Sequence, residues 1–317
     1  MATVAPTEQI RASVAAALRG RKRDVAGQAF QLALLATLLV SVGVLIALLW
    51  VTIADAMPVL RDRGVDFVTS GTSAIPTRAG VRQGLIGSLI LAGFVVVFAI
   101  PLGSASAIYL QEYARDTRIN RLLIANIRNL AGVPSVVFGI LGLIVFAQTM
   151  RSVTGPGGGK PGLSYISGGL TIAILVMPIV ILVGMEALRA VPPSIREAAY
   201  GVGATRWEVV RSHVLPYAAP GMFTGVILAM ARAFGETAPL LLVGAITGYF
   251  SSPGGRGAAD ILQGSYTALP TQIFSFATKP AAAWGALTSA AIVVLLIAIL
   301  AVNAIAILLR NRYERKW

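Results

Sequence analysis

Arg232 and Glu236 stand four residues apart inside Tyr217 to Gly248, a run that is otherwise strongly apolar. Charges within a membrane-length run are costly, and they face a bundle interior or an aqueous path. A spacing of four places both on one face of a helix. Counted from Pro220, Arg232 lies about 18 Å along a helix at 1.5 Å per residue, near the middle of a ~30 Å hydrocarbon core. A guanidinium stays charged, and its planar fork matches the oxygens of an oxyanion. Glu236 can neutralise Arg232 when a path is empty, and it can keep an anion from binding too tightly to leave. The same pair can equally be structural, holding helices together. Spacing alone leaves both readings open.

The stretch just before it, Ile195 to Pro216, has the opposite character: I-R-E-A-A-Y-G-V-G-A-T-R-W-E-V-V-R-S-H-V-L-P, charged, amphipathic and ending in a helix breaker. It reads as a helix from Ile195 to Ser212. Ser194 can cap it, and Glu197 in the first turn suits the helix dipole. Ala198 and Ala199 give a small flat face, and Gly201 and Gly203 permit a bend. Trp207, Val210 and Val214 recur at helical spacing, while Arg206, Glu208 and Arg211 lie elsewhere. Such a helix lies in a membrane interface or docks in a groove of another protein.

Other chemistries are poorly supported. There is no cysteine, which excludes thiolate and disulfide chemistry, and His213 is the single histidine. The run Gly155-Pro156-Gly157-Gly158-Gly159-Lys160-Pro161 imitates a phosphate loop. That motif needs glycine where Thr154 stands and Ser or Thr where Pro161 stands. Gly201-Val202-Gly203 lacks the third glycine of a dinucleotide fingerprint. No serine–histidine–carboxylate set is readable.

The elements that must position these residues are membrane spans. Of 317 residues, 56% are hydrophobic and 12% charged, with mean hydropathy +0.79; a soluble domain carries about a quarter charged residues. Six apolar runs cover about 28–54, 84–110, 129–150, 166–185, 217–248 and 281–309. They form a domain of 28–310 between an N-terminal arm, 1–27, and a tail, 311–317. The first run is too long for a signal-peptide core of about 7–15 residues, so it reads as an uncleaved span. Polar loops are expected at 55–83, 111–128, 151–165 and 249–280. Pro134 is expected to break the first turn of the third run. The net charge of +13 fits anionic headgroups and topology rather than nucleic acid. The arm, the 111–128 loop, the 186–216 segment and the basic end from Arg310 hold 17 Lys or Arg, and the alternate loops hold 8. That bias places both termini and Ile195–Pro216 in the cytoplasm.

These residues also carry a resemblance. Glu197-Ala198-Ala199, three residues, Gly203, nine residues, position 213, one residue and Leu215-Pro216 together resemble the EAA loop of ABC-importer permeases, with His213 where that family has an aliphatic residue. Gly221 to Pro239, Ala107 to Tyr113 and Leu130 to Gly139 are similar to the phosphate-uptake branch, so the resemblance covers roughly residues 84–250. Ala238-Pro239-Leu240-Leu241 resembles its A-type subunit more than the partner type. The resemblance implies an all-α integral membrane protein with six transmembrane helices and the type I importer (MetI-like) fold, in a bacterial cell membrane. It implies a transport subunit rather than an enzyme. Glu197, Ala198, Ala199, Gly203, Leu215 and Pro216 would couple to an ATPase. Arg232, Glu236 and Thr237 would line the substrate path. The partners implied are a homologous permease subunit, two ATPase subunits and an external phosphate-binding protein, with inorganic phosphate as substrate. ATP and Mg²⁺ would sit on the ATPase, leaving this chain without cofactor or metal. Alternatives are the partner-type subunit, a permease for another oxyanion or phosphonate, a passive channel or ion-coupled transporter, and a membrane enzyme or scaffold.

Overall fold

The computed structural model describes residues 25–156, 161–245 and 257–313. All regular elements among them are helical. Residues up to Val51 form one compact unit and Thr52–Trp317 another. The phosphate-loop imitation falls partly outside the described residues, as do most of the N-terminal arm, the end of the fifth apolar run and most of the tail.

Helix α1, Val25–Arg63, outlasts its apolar run and continues through Asp55, Pro58 and Asp62, where a polar loop is expected. Tertiary packing explains the extension. Ala56 is buried, and Val59 and Leu60 pack on a cluster that includes Phe67, Phe276, Trp284 and Leu287.

Helix α2, Arg82–Tyr113, spans 32 residues and passes through Pro101. Proline in a helix interior lacks a donor, and its ring collides with the carbonyl four residues back. The turn Val95–Ala99 widens just before it, and the Ile100 N–H donates to the Val95 carbonyl five residues back. The wider turn relieves the crowding that Pro101 creates.

The expected third span is bent. Helix α3, Arg118–Ala131, and helix α4, Ser135–Thr149, meet at 101°. Residues 111–128 are therefore largely helical rather than a loop. Thr117 starts α3 by accepting from the Asn120 N–H. Pro134 is extended and stands at the N-cap of α4, so it ends one helix before the next instead of disturbing a first turn. Ile124 and Ile127 pack against the protein. Arg118, Arg121 and Arg128 are exposed, as are Ile119 and Leu122. A helix at about a right angle to a spanning one, with this division of faces, suits the membrane interface.

Helix α5, Tyr165–Arg189, begins at Ser164, whose hydroxyl accepts from the Ser167 N–H. It is the central helix, with Ile172, Leu175, Val176 and Leu188 buried. Helices α6, Pro193–Gly201, α7, Arg206–Gly235, α8, Ala238–Leu242, α9, Leu269–Ala277, and α10, Ala283–Tyr313, complete the set used here. Among the described residues, five helices are long and apolar enough to cross a membrane, or six if the bent pair α3–α4 is counted as one span.

Small residues let α2 and α7 approach α5 closely, as is usual where lipid offers no hydrophobic drive between helices. A Cβ on Gly103 would meet Val180 Cγ1 at 2.8 Å, and one on Gly184 would meet Ala107 Cβ at 2.9 Å. A Cβ on Gly221 would meet Ala187 Cβ at 2.7 Å. Gly103→Val is therefore expected to destabilise the bundle by about 1–3 kcal/mol, the usual penalty of overpacking. The measurement is the thermal-inactivation midpoint in detergent. Gly43→Val is the control, because nothing lies within 4 Å of the position a Cβ would take there. Equal midpoints for the two variants would contradict the packing argument.

Candidate coupling segment and substrate path

The fifth apolar run is not one continuous helix. Helix α7 ends at Gly235, and Glu236 leaves it with extended backbone, φ −75° and ψ 123°. Thr237 precedes the five-residue α8. Pro239 accounts for the break: in an unbroken helix its ring would strike the Gly235 carbonyl. Arg232 consequently sits in the last turn of α7 rather than within an uninterrupted span.

At that break the Arg232 Nε donates to Glu236 Oε1 at 3.1 Å. The two side chains are 33% and 14% exposed. Among the described residues, neither terminal nitrogen of Arg232 has a hydrogen-bond partner. The Thr237 side chain makes no capping hydrogen bond. A helix C-terminus favours a cation such as Arg232. It disfavours the Glu236 carboxylate, which the guanidinium offsets. The structure thus brings Arg232 and Glu236 together, with Thr237 next along the chain.

The far side of the break is firmly packed. Leu240 is buried, and its carbonyl accepts from Tyr266 Oη at 3.3 Å and from the Ala245 N–H at 2.8 Å. A Cβ on Gly139 of α4 would meet the Pro239 Cα at 2.7 Å. The break lies within the apolar run, since Leu240 to Val243 follow it. Interrupted backbone in such a place is tolerated where protein buries it or where it lines an aqueous cavity, and broken helices mark binding sites in transporters.

The expected single helix from Ile195 to Ser212 is two helices joined at a sharp turn. Gly203 takes φ +85°, a region that L side chains rarely adopt, and its N–H donates to the Tyr200 carbonyl at 2.9 Å. Thr205 and Glu208 then form a capping box that starts α7. At the other end Pro192 is the N-cap and Pro193 the first helical residue, a position that proline's fixed φ suits. Ser194 is therefore not the cap, and Glu197 lies beyond the first turn. Nor does Pro216 end the helix. The turn Val210–Val214 widens before it, and the Leu215 N–H donates to the Val210 carbonyl, the device already used at Pro101.

Of the expected coupling residues, Glu197, Ala198 and Gly203 are exposed, while Ala199 is buried. Leu215 and Pro216 are half-buried inside α7, and Leu215 packs with Val191, Val209 and Val214. The six do not share one surface. The exposed turn instead presents large apolar side chains: Val202 is 85% exposed, Trp207 58% and Tyr200 48%. Trp207 parts company with Val210 and Val214, which are buried. Helical spacing grouped these three, but Trp207 lies in the first turn of α7 at the exposed tip, while Val210 and Val214 pack inward.

Two further residues hold this segment in place, and neither was legible from local spacing. The Arg196 Nη2 donates to Glu112 Oε1 and to the Leu188 carbonyl, each at 2.8 Å, and Nη1 donates to the Val191 carbonyl at 2.7 Å. Arg196 thereby ties carbonyls at and just beyond the end of α5 to α2. Arg206 donates to the Glu112 backbone carbonyl, and its guanidinium lies 5.1 Å from the centroid of the Tyr113 ring. Among the described residues, no group of three or more His, Cys, Asp and Glu side chains is arranged to hold a metal ion.

Residues 99–317 match the family described as binding-protein-dependent transport system inner membrane component. The chain belongs to this family. The permease is 34% identical over 256 residues to "Phosphate transport system permease protein PstA 1" of Mycobacterium tuberculosis, covering 79% of each chain. It is 30% identical over 207 residues to "Phosphate transport system permease protein PstC" of Mesorhizobium japonicum, covering 60% of this chain and 63% of that one. Its fold matches a chain of a bacterial ABC transporter involved in alginate import, with TM-score 0.59 and 15% identity over 93% of this chain and all of that one. The permease is accordingly an all-helical, multi-pass membrane transport component of the type I importer fold, and not an enzyme.

Proposed function

We propose that this chain is the A-type membrane-spanning permease subunit of an ATP-driven inorganic phosphate importer. The observation that carries the substrate is Arg232. Its Nε is held by Glu236, while its two terminal nitrogens have no partner among the described residues, at a helix break. A guanidinium presented in this way offers two donors to one oxyanion, and Glu236 keeps the resulting site weak enough to conduct. Named relatives that are phosphate transport permeases support phosphate over other oxyanions.

Coupling enters at the turn between α6 and α7. Tyr200, Val202 and Trp207, with Glu197 and Ala198 exposed nearby, form an apolar tip with a charged margin, suited to a cleft in another protein. In this reading the cleft belongs to an ATPase subunit that binds ATP and Mg²⁺. A second permease subunit completes the path, two ATPases drive it, and an external binding protein delivers phosphate. Both termini and the tip face the cytoplasm, as the 17-to-8 distribution of Lys and Arg favours.

The complex reconstituted in proteoliposomes is expected to accumulate radiolabelled phosphate only with ATP, binding protein and ATPase all present. Excess unlabelled phosphate should compete, and sulfate or a phosphonate should not. Uptake that persists without the ATPase would point to a channel or ion-coupled carrier. Competition by sulfate or phosphonate alone would reassign the substrate. A reporter fused after Trp317 should be cytoplasmic and one inserted at Gly255 external; the reverse would leave the tip facing no ATPase.

A further inference from the structure

The coupling segment grips the end of α2 from both of its arms. Arg196, on α6 before the Gly203 turn, holds the Glu112 side chain. Arg206, on α7 after the turn, holds the Glu112 backbone and covers the Tyr113 ring. A load on either arm therefore reaches the same two residues. The pair is sheltered, with Glu112 9% and Arg196 21% exposed. Water and salt weaken such a contact much less than a surface ion pair.

Arg196 also ties this grip to the end of α5 through the Leu188 and Val191 carbonyls. Its planar fork can satisfy acceptors on two helices at once, which a lysine could not. Above the grip, α2 and α5 remain in close contact at Ala107–Gly184 and Gly103–Val180. The tip residues Tyr200, Val202 and Trp207 take no part in these contacts and are exposed. One side of the segment is thus free to meet a partner, while the other is fastened to two membrane helices.

We propose that Glu112 and Arg196 are positioning residues that make the α6–α7 turn and the cytoplasmic end of α2 move as one rigid body. This rests on the reading of the turn as the ATPase-coupling element. The device deepens that reading: the turn moves α2 directly, besides the helix α7 that continues from it. Closely packed elements transmit motion in discrete steps when their contacts stay intact. The charge-assisted Arg196–Glu112 contact, Nη2 to Oε1 at 2.8 Å with Nε facing Oε2 at 3.5 Å, is what keeps it intact.

The test uses the full complex with its partner permease and ATPases. This chain has no cysteine, so Ala114→Cys with Ser194→Cys, in a complex whose partner cysteines are replaced, places one spin-label pair at the α2 end and on the exposed start of α6, away from the tip. The distance distribution between the labels is expected to stay the same in nucleotide-free and ATP-trapped complexes. Adding Glu112→Ala with Arg196→Ala should make it broaden or shift between those states. This readout needs no transported substrate, so it can fail or succeed independently of the phosphate assignment. A label distance that changes between states in the otherwise unaltered complex would overturn the rigid-body proposal, as would one that stays fixed without the pair.

Transport supplies the second readout. The Glu112→Ala, Arg196→Ala complex should assemble and hydrolyse ATP, yet move about tenfold less substrate per ATP, within the range typical of coupling between sites. Should that variant fail to assemble, Glu112→Gln keeps the side-chain shape and an acceptor while removing the charge. It should also lower the ratio, and an unchanged ratio in assembled complex would end the proposal.

Discussion

Arg232→Ala is expected to reduce ATP-driven phosphate uptake by about 10- to 100-fold, the effect of losing a hydrogen bond to a charged group worth ~1.5–3 kcal/mol. Two harms coincide in this variant. The free fork that would receive phosphate is gone, and Glu236, only 14% exposed, loses its partner. A carboxylate left so placed repels an anion. Arg232→Lys keeps the cation but loses the planar fork, so part of the uptake should remain. Protein abundance in the membrane must be measured alongside, because instability would imitate the defect. The double change Arg232→Ala with Glu236→Ala separates the two roles. Deleting both partners leaves no unpaired charge, so a structural pair should allow transport to recover. The pathway reading expects an assembled complex that hydrolyses ATP and still fails to move phosphate. Near-normal uptake by a well-assembled double variant would leave only the structural role.

Gly203→Pro should have a comparable effect through the ATPase. Proline cannot reach φ +85°, and it removes the N–H that bonds the Tyr200 carbonyl at 2.9 Å. A penalty of ~3 kcal/mol for a misplaced proline corresponds to about 100-fold weaker docking. The expected result is loss of co-purification with the ATPase, or ATP hydrolysis without transport. Gly203→Ala tests the same conformation more gently, since an L residue there costs about 1–2 kcal/mol. Glu197→Lys reverses an exposed charge beside the tip without touching the backbone, and should weaken docking alone. Normal co-purification and normal uptake for both Gly203→Pro and Glu197→Lys would remove the coupling role from this turn.

The presence of membrane spans and the special character of residues 195–248 were legible in the sequence. They rest on local quantities: run length, charge content and residue spacing. The four-residue spacing of Arg232 and Glu236 was also enough to predict their contact, which is present at 3.1 Å. Helix ends were less legible, because they depend on backbone hydrogen bonds that composition does not report. Pro101 and Pro216 are two such cases. Pro216 reads as a breaker and Pro101 sits inside an apolar run, and each is carried inside a helix by a widened turn just before it. Pro134 and Pro239 have the same ring and the same missing donor, but they stand at real breaks. The difference in the structure is the widened turn, which precedes Pro101 and Pro216 and does not precede Pro134 or Pro239.

Residue chemistry and local spacing by themselves determined that this chain is a membrane protein with several apolar runs of membrane-spanning length, that it carries an ion pair within one of them, and that a polar amphipathic segment precedes that pair. Only the tertiary structure decided that the segment folds back at Gly203, that Val202 and Trp207 rather than Leu215 and Pro216 reach its exposed tip, and that α3 turns through 101° from α4. Only it paired Arg196 with Glu112, 84 residues away in sequence. The physical reason is range. Apolar runs and i,i+4 pairs act within one helix, where sequence distance is spatial distance. A buried ion pair between helices depends on how the whole bundle packs, and no local pattern encodes that.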